Sequence, residues 1–194
     1  MTQPADINAR IGARIHHLRA TAGLSLEALA TRAGVSRSMI SLIERGEASP
    51  TAVVLERLAT GLGVMLATLF DAPATPPAPV SRRATQAEWR DPASGYRRRN
   101  LSPPGLDSPL RLVEVAFPAG ARVAYESGPR AATVQQQIWV LAGSIEITLG
   151  EATHTLAAGD CLAMVLDRPI TFHNPTQKPA RYLVAIASPG GLTP

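Results

Sequence analysis

Residues 26–43, LEALATRAGVSRSMISLI, set apolar and small residues at positions where two short helices can cross closely at a turn. Leu29 and Ala33 supply the buried face of the first helix, and Ala30 leaves room for the second helix to approach. Gly34 forms the turn, because a residue that ends a helix often needs a positive φ, which glycine adopts without a Cβ penalty. The pattern predicts two helices joined by a tight turn, with Val35 packed between them.

The second helix is predicted to begin at Ser36, whose hydroxyl can accept hydrogen bonds from amides of the first turn. Four apolar side chains fall on the face that can reach the core: Val35, Met39, Ile40 and Ile43. The remaining side chains cannot all reach the core: Arg37, Ser38, Ser41 and Leu42. The outward face therefore carries the side chains available to a partner.

With VSRSMISLIERGEASPT at 35–51, this segment resembles the DNA-binding domain of phage-repressor-like regulators, the xenobiotic-response-element family, over residues 7–70. In such domains the second helix of a helix-turn-helix enters the major groove and the first helix crosses the DNA backbone. The resemblance implies double-stranded DNA as a partner. It assigns base contacts to Arg37, Ser38 and Ser41, and phosphate contacts to Ser25 and Arg45.

These residues also have purely structural interpretations. Helix-turn-helix geometry occurs as ordinary packing in proteins that never bind DNA, and Arg45 can equally join an ion pair or cap the last carbonyls of its helix. Arg37 favours the nucleic-acid interpretation. A cation at the start of a helix interacts unfavourably with the helix dipole, so a purely structural position would favour Asp or Glu. Leu42 can contact a thymine methyl group or nothing.

Length and composition predict two domains in a multidomain α + β chain. The 194 residues exceed what one small helical domain needs, and the net charge of +4 favours an acidic partner without deciding its kind. A single cysteine excludes an internal disulfide and a multi-cysteine zinc site. No apolar run is long enough to span a membrane, and MTQPADINARIG lacks the apolar segment of a signal peptide. We therefore expect a cytoplasmic protein without a membrane partner.

Hydrophobic periodicity changes once along the chain. Helical spacing in residues 7–20 and 51–62 completes an all-α bundle of about five helices over residues 1–70. The proline-rich segment DAPATPPAPVS at 71–81 is predicted to be a stiff linker. From residue 82 the period becomes two, and seven or eight strands separated by Gly, Pro and Asn turns predict an antiparallel β-domain over 82–190.

In the β-domain, LAGSIEITLG, TLAAGDCLAMV and RPITFHNP resemble a cupin, the small jelly-roll barrel, with the Gly159-Asp160 turn and Asn174 as anchors. Metal-binding cupins supply histidines and a glutamate, but here Gln136 and Ile170 fall at ligand positions. Counting forward from Gly120, with a different loop length, would place Glu126 at the position of the first metal-binding histidine. One carboxylate alone binds metal poorly. His173 should point away from Ile170. We therefore expect neither a metal nor a cofactor, no catalytic constellation and no enzyme.

The resulting lining, apolar with a few polar groups, is typical of a site for a small organic ligand. The alternative is a barrel filled by its own side chains. The predicted ligand-contacting residues are Arg122, Tyr125, Arg130, Gln136, Ile138, Met164, Ile170 and Phe172.

The combined pattern resembles cupin-carrying helix-turn-helix regulators. It implies a homodimer that reads a palindromic operator, with the cupin as the dimer module and as the sensor of a small-molecule effector. Two alternatives are a metal-dependent cupin enzyme with a degenerate helical domain and an antitoxin-like regulator whose cupin binds a protein.

Overall fold

The structure is a computed structural model that describes residues 7–71, 79–105, 108–126 and 134–187. Its N-terminal part contains four α-helices, α1 (Ile7–Thr21), α2 (Leu26–Ala33), α3 (Arg37–Glu44) and α4 (Ala52–Leu62). The fifth helix expected from the sequence is a 3-10 helix at Leu66–Phe70. Five residues form too few hydrogen bonds to offset the free-energy cost of nucleating an α-helix, so this segment forms the tighter 3-10 turns instead. No helix in the described residues is long and apolar enough to cross a membrane.

The predicted caps and turn are confirmed. Ser36 Oγ accepts the amide of Met39, and Gly34 ends α2 with a φ of 61°. Ser25 and Thr51 cap α2 and α4 in the same way. These serine and threonine side chains satisfy helix amides that have no partner within the helix, which fixes where each helix begins.

The helix pair packs as predicted, with one exception. Leu29, Ile40 and Ile43 are completely buried, and Val35 is 8% exposed. Met39, expected in the core, is 39% exposed. Met39 precedes Ile40 by one residue. Because each residue of an α-helix is rotated by about 100° from the next, Met39 lies at the margin of the buried face. A Cβ at Gly12 would lie 2.1 Å from Ile43 O, so glycine lets α1 cross α3 closely.

The C-terminal part contains ten strands within the described ranges: β1 (Glu88–Arg90), β2 (Arg97–Asn100), β3 (Leu110–Phe117), β4 (Arg122–Tyr125), β5 (Gln135–Ala142), β6 (Ser144–Leu149), β7 (Ala152–Ala157), β8 (Cys161–Val165), β9 (Ile170–His173) and β10 (Ala180–Ala187). Sequence patterning predicted seven or eight. The apolar runs in the sequence covered neither β1 nor β4, and the single run HTLAAGDCLAMVL spans part of β7 and all of β8.

The strands form two antiparallel sheets with the orders β1-β2-β3-β10-β5-β8 and β4-β9-β6-β7. Between the described strands no hydrogen-bonded ladder joins one sheet to the other, so the jelly-roll barrel expected from the sequence consists of two separate facing sheets. Buried Asn174 ties its loops together, because its amide nitrogen donates to the carbonyls of Pro118 and Lys178 at 3.1 and 2.9 Å. Asn174, which supported the resemblance to cupins in the sequence, thus also holds these loops together in the structure.

The helical part packs directly on the edge strand β1 and on its neighbour β2. Phe70 meets Trp89 edge to face, with ring centroids 5.6 Å apart. Buried Asp91 accepts a hydrogen bond from the amide of Ala52 at 2.9 Å, so a side chain from the β-domain caps the first turn of α4. Most of the segment expected to be a stiff linker, residues 72–78, lies outside the described residues. Contacts between the folded parts therefore define their arrangement.

Candidate nucleic-acid interface and ligand cavity

Helix α3 presents a polar surface away from its buried isoleucines. Arg37 and Ser38 are exposed at its N-terminal turn, and Ser41 is half-buried one turn later. Among the described residues Arg37 has no hydrogen-bond or ion-pair partner, so its guanidinium can reach outward. Exposed Met39, which the sequence assigned to the core, adds an apolar group to this surface.

Arg45 follows α3 and is held by its neighbours. Its Nε and Nη2 atoms donate to the two carboxylate oxygens of Glu47 at 2.9 and 2.8 Å, and Nη1 donates to Ser41 Oγ. The ion-pair interpretation of Arg45 therefore describes the free protein, with Glu47 as the partner. Ser25 is exposed at the start of α2, where its Oγ accepts the amide of Ala28 at 3.0 Å.

A second carboxylate joins α3 to α1. Glu44 Oε1 and Oε2 accept hydrogen bonds from Nε and Nη2 of Arg19 at 2.6 and 2.7 Å, and Oε2 lies 2.9 Å from His16 Nδ1. Burial by itself raises the pKa of Glu44, but the hydrogen bonds from Arg19 and His16 outweigh burial and lower it. This joint sets the angle at which α3 is presented. Arg19 and His16 are 25 and 28 residues from Glu44 in the sequence. Sequence spacing therefore did not indicate that these side chains interact.

A cavity of about 70 Å³ lies between the inner faces of the two sheets and the helical part. Its volume is several times the ~10–15 Å³ that one water molecule needs, which favours a ligand site over a domain completely filled by its own side chains. Four residues of the helical part complete its wall: Glu56, Met65, Leu66 and Ala67. The cavity therefore lies at the boundary between the two parts of the chain.

Four residues predicted from the sequence line this cavity: Tyr125, Gln136, Ile170 and Phe172. Ile138 and Met164 are buried but do not line it. Arg122 is exposed and lies beside His173 in the β4–β9 register, on the opposite face from buried Val123. The prediction for Arg122 is therefore corrected by strand alternation. Arg130 falls outside the described residues.

The donor atoms around the cavity do not suit a transition metal. Gln136 offers a neutral amide and Ile170 offers no donor, and both line the wall. No cluster of three His, Cys, Asp or Glu side chains that could hold a metal ion occurs in the described parts of the chain. His173 points away from the buried Ile170 and Phe172, as alternation predicted, and its Nδ1 lies 3.1 Å from Glu146 Oε2.

Sequence reasoning missed the most unusual residue of the cavity, Arg98. This side chain is 7% exposed, and its Cζ atom lies 5.0 Å from the centroid of the Phe70 ring. In the run Arg97-Arg98-Arg99 only the middle residue faces inward, together with Tyr96. Period-two alternation from Tyr96 was the available signal, but three consecutive arginines are usually a solvated surface.

Three tyrosines stand around Arg98 in the cavity wall: Tyr96, Tyr125 and Tyr182. Burial raises the pKa of each phenol, so all three hydroxyl groups are neutral at pH 7. The oxygens of Tyr96 and Tyr125 lie 3.2 Å apart. Burial also lowers the pKa of the Arg98 guanidinium below its ordinary value, because the charged form loses water.

Comparison with known proteins accords with this geometry. Residues 10–71 match the helix-turn-helix domain family, and residues 115–186 match the cupin domain family. An uncharacterized HTH-type transcriptional regulator, y4dJ of Sinorhizobium fredii (strain NBRC 101917 / NGR234), is 37% identical over 59 residues, which are 30% of this chain and 77% of y4dJ. The chain belongs to the helix-turn-helix transcriptional regulators.

Two further relatives of this helix-turn-helix regulator extend over both parts of the chain. The HTH-type transcriptional regulator SutR of Escherichia coli (strain K12) is 27% identical over 160 residues, 82% of this chain and 84% of SutR. The crystal structure of an HTH_3 family transcriptional regulator from Vibrio cholerae is 28% identical, covers 94% of this chain and 97% of its own, and superposes with a TM-score of 0.75. The regulator thus combines a helix-turn-helix domain with a C-terminal cupin domain.

Proposed function

We propose that this regulator binds a palindromic operator as a homodimer and that a small organic molecule in the cupin cavity changes its affinity for DNA. The proposal rests on the shared cavity wall, because Met65, Leu66 and Ala67 of the DNA-binding half line it together with strand residues. A ligand that fits one arrangement of the two halves better than another shifts the population of arrangements. We retain residues 1–70, 71–81 and 82–190 as the proposed domain boundaries.

For DNA, we propose that α3 is the recognition helix. Arg37, Ser38 and Ser41 would contact base edges, and Ser25 and Arg45 would contact phosphates. The exposure of Arg37 and Ser38 supports this assignment. Arg45 would have to exchange Glu47 for a phosphate on binding. A regulator of this kind acts where the chromosome is, and we propose the cytoplasm.

For assembly, we propose that the outer face of the six-stranded sheet joins two copies. This face carries three exposed large apolar residues, Leu110, Trp139 and Val165, at 46%, 49% and 37% exposure. Exposed apolar patches of this kind mark association surfaces. Two copies would give two recognition helices, as a palindrome requires. The mass in solution by light scattering decides between one chain and two.

The DNA assignment is tested by Arg37→Ala. Losing a bidentate guanine contact is expected to cost about 1–3 kcal/mol at the selected operator and to relax preference at one base pair in each half-site. The measurement is a selection from random duplexes followed by titration. Arg83→Ala, which removes an exposed arginine of the β-domain, is the charge-matched control. An unchanged base preference in Arg37→Ala would overturn the assignment.

The sensor assignment is tested by Ile170→Trp. Tryptophan at this position of the wall is expected to fill the cavity and abolish the response of operator affinity to a metabolite library, while operator binding itself persists. Wild-type coupling is expected in the range of about 1–3 kcal/mol. Thr155→Trp enlarges an exposed strand position instead and should respond like the wild type. If no compound alters the wild type, or if Ile170→Trp responds normally, the cavity is not the sensor.

A further inference from the structure

The cavity wall contains a buried cation whose main hydrogen-bonding edge is unused. Arg98 lines the cavity, and its Nε and Nη2 atoms are buried without a hydrogen-bond partner among the described residues. No described carboxylate oxygen lies within 4.0 Å of its guanidinium. Asp71, a nearby acid, pairs with Arg111 at 3.5 Å instead. The described residues therefore provide a charged donor pair without an acceptor for it.

Elsewhere in this protein the same edge receives a carboxylate. Arg19 donates from Nε and Nη2 to the two oxygens of Glu44 at 2.6 and 2.7 Å. Arg45 does so to Glu47, and Arg168 binds Asp167 at 2.7 and 3.0 Å. This edge matches the spacing of the two oxygens of a carboxylate, which gives two parallel charge-assisted hydrogen bonds. Arg98 lacks only the acid.

The surroundings of Arg98 favour a small, planar anion. The guanidinium lies over the Phe70 ring, and Arg98 forms part of the cavity wall. The wall is largely apolar and aromatic, including Phe117 and Phe172. Gln136 adds an amide to it, and Glu56 adds one carboxylate from the helical part. Neutral phenols nearby can donate to an anion, but they cannot neutralise the cation.

From these observations we propose that the cavity binds a small monocarboxylate. Its two carboxylate oxygens accept hydrogen bonds from Nε and Nη2 of Arg98, and its apolar part lies against Ile170 and Phe172. The inference deepens the proposed sensor function and rests on it, because it names the chemical class of the effector. Arg98 also connects the ligand to the DNA-binding half, since the same guanidinium packs on Phe70 at the end of the helical part.

A carboxylate fits this site better than phosphate does. The volume of about 70 Å³ admits a small molecule, and a phosphate dianion would need more donors than one arginine edge and neutral phenols offer. Removing the cation should therefore remove selectivity for the acid over its neutral amide. It should leave the apolar contacts in place.

The experiment is a binding titration of the full chain without DNA. Acetate, butyrate, hexanoate and benzoate are each compared with the matching primary amide and with inorganic phosphate. The reporter is Trp89 fluorescence in a Trp139→Phe background, because these are the two tryptophans of the chain and Trp89 touches Phe70. The test variant is Arg98→Met and the control is Arg97→Met, the exposed neighbour on β2. If Arg98→Met does not fold, calorimetry on the wild-type protein measures the affinities of the acids and of their amides directly.

At least one carboxylate is expected to bind about tenfold to a hundredfold more tightly than its amide. Arg98→Met should abolish that preference and Arg97→Met should keep it. Equal binding of acid and amide, retained preference in Arg98→Met, or a preference for phosphate overturns the proposal. An operator titration then separates the two proposals. A carboxylate that binds through Arg98 but leaves DNA affinity unchanged supports the site and contradicts the sensor function.

Discussion

Arg19 in the helical domain and Arg98 in the cavity are both withdrawn from solvent, yet only Arg19 has a carboxylate beside it. Glu44 accepts two hydrogen bonds from Arg19 and locks α1 to α3. The same two nitrogens of Arg98, a residue of the cavity wall, have no hydrogen-bond partner among the described residues. The comparison teaches that an arginine paired within the chain fixes the contact between two helices, whereas an arginine without an acid among the described residues is the place where we propose a ligand. The Arg19–Glu44 pair holds α3, and Arg98 lies at the boundary between the two parts of the chain.

The largest effect on stability is expected when the Arg19–Glu44 pair is removed. Arg19→Met leaves the carboxylate of Glu44 buried without its guanidinium and should lower the free energy of unfolding by about 3 kcal/mol. The measurement is urea denaturation at pH 7. Arg45→Met removes an exposed pair and should cost no more than about 1 kcal/mol. Equal losses in the two variants would contradict the role of the Arg19–Glu44 joint.

The same substitution at the other arginine should act in the opposite direction. Arg98→Met relieves two buried N–H groups that lack acceptors, at the cost of its contact with Phe70, so the free energy of unfolding without ligand should stay equal or rise by about 1 kcal/mol. Denaturation in buffer free of carboxylates measures this. A loss comparable to that of Arg19→Met would mean that Arg98 is structural and would erase the contrast between the two regions.

The smallest effect is a pH dependence confined to the paired region. Because the pKa of Glu44 is lower in the folded protein than its ordinary value of 4.5, ionised Glu44 stabilises the fold above that value. This stabilisation is lost as the pH falls through the lower folded pKa. The stability difference between wild type and Glu44→Gln should therefore stay constant from pH 7 to about 5 and shrink below it. A difference that is independent of pH down to 3 would contradict the assignment.

Prediction from sequence worked where structure is local. The buried faces of Leu29, Ile40 and Ile43, the cap at Ser36 and the αL turn at Gly34 follow from helical spacing and from backbone preferences within a few residues. It failed at Met39, which lies on the margin of a helical face, and at the short strands β1 and β4. For the cavity, the resemblance to the cupin motifs found Gln136 and Ile170, and alternation added Phe172. Arg122 was assigned to the wrong face because the start of its strand was not recognised.

The sequence by itself determined two domains, the identity of the DNA-binding helix pair and a β-domain without the usual metal ligands at Gln136 and Ile170. These properties follow from hydrophobic periodicity, helix capping and the chemistry of the donor atoms, each of which depends on only a few neighbouring residues. Only the tertiary structure decided that Asp91 caps α4, that Phe70 covers Trp89 and that Arg98 is buried in a cavity shared by both halves. Those contacts join residues far apart in the chain, and burial of a charge depends on all the elements that surround it.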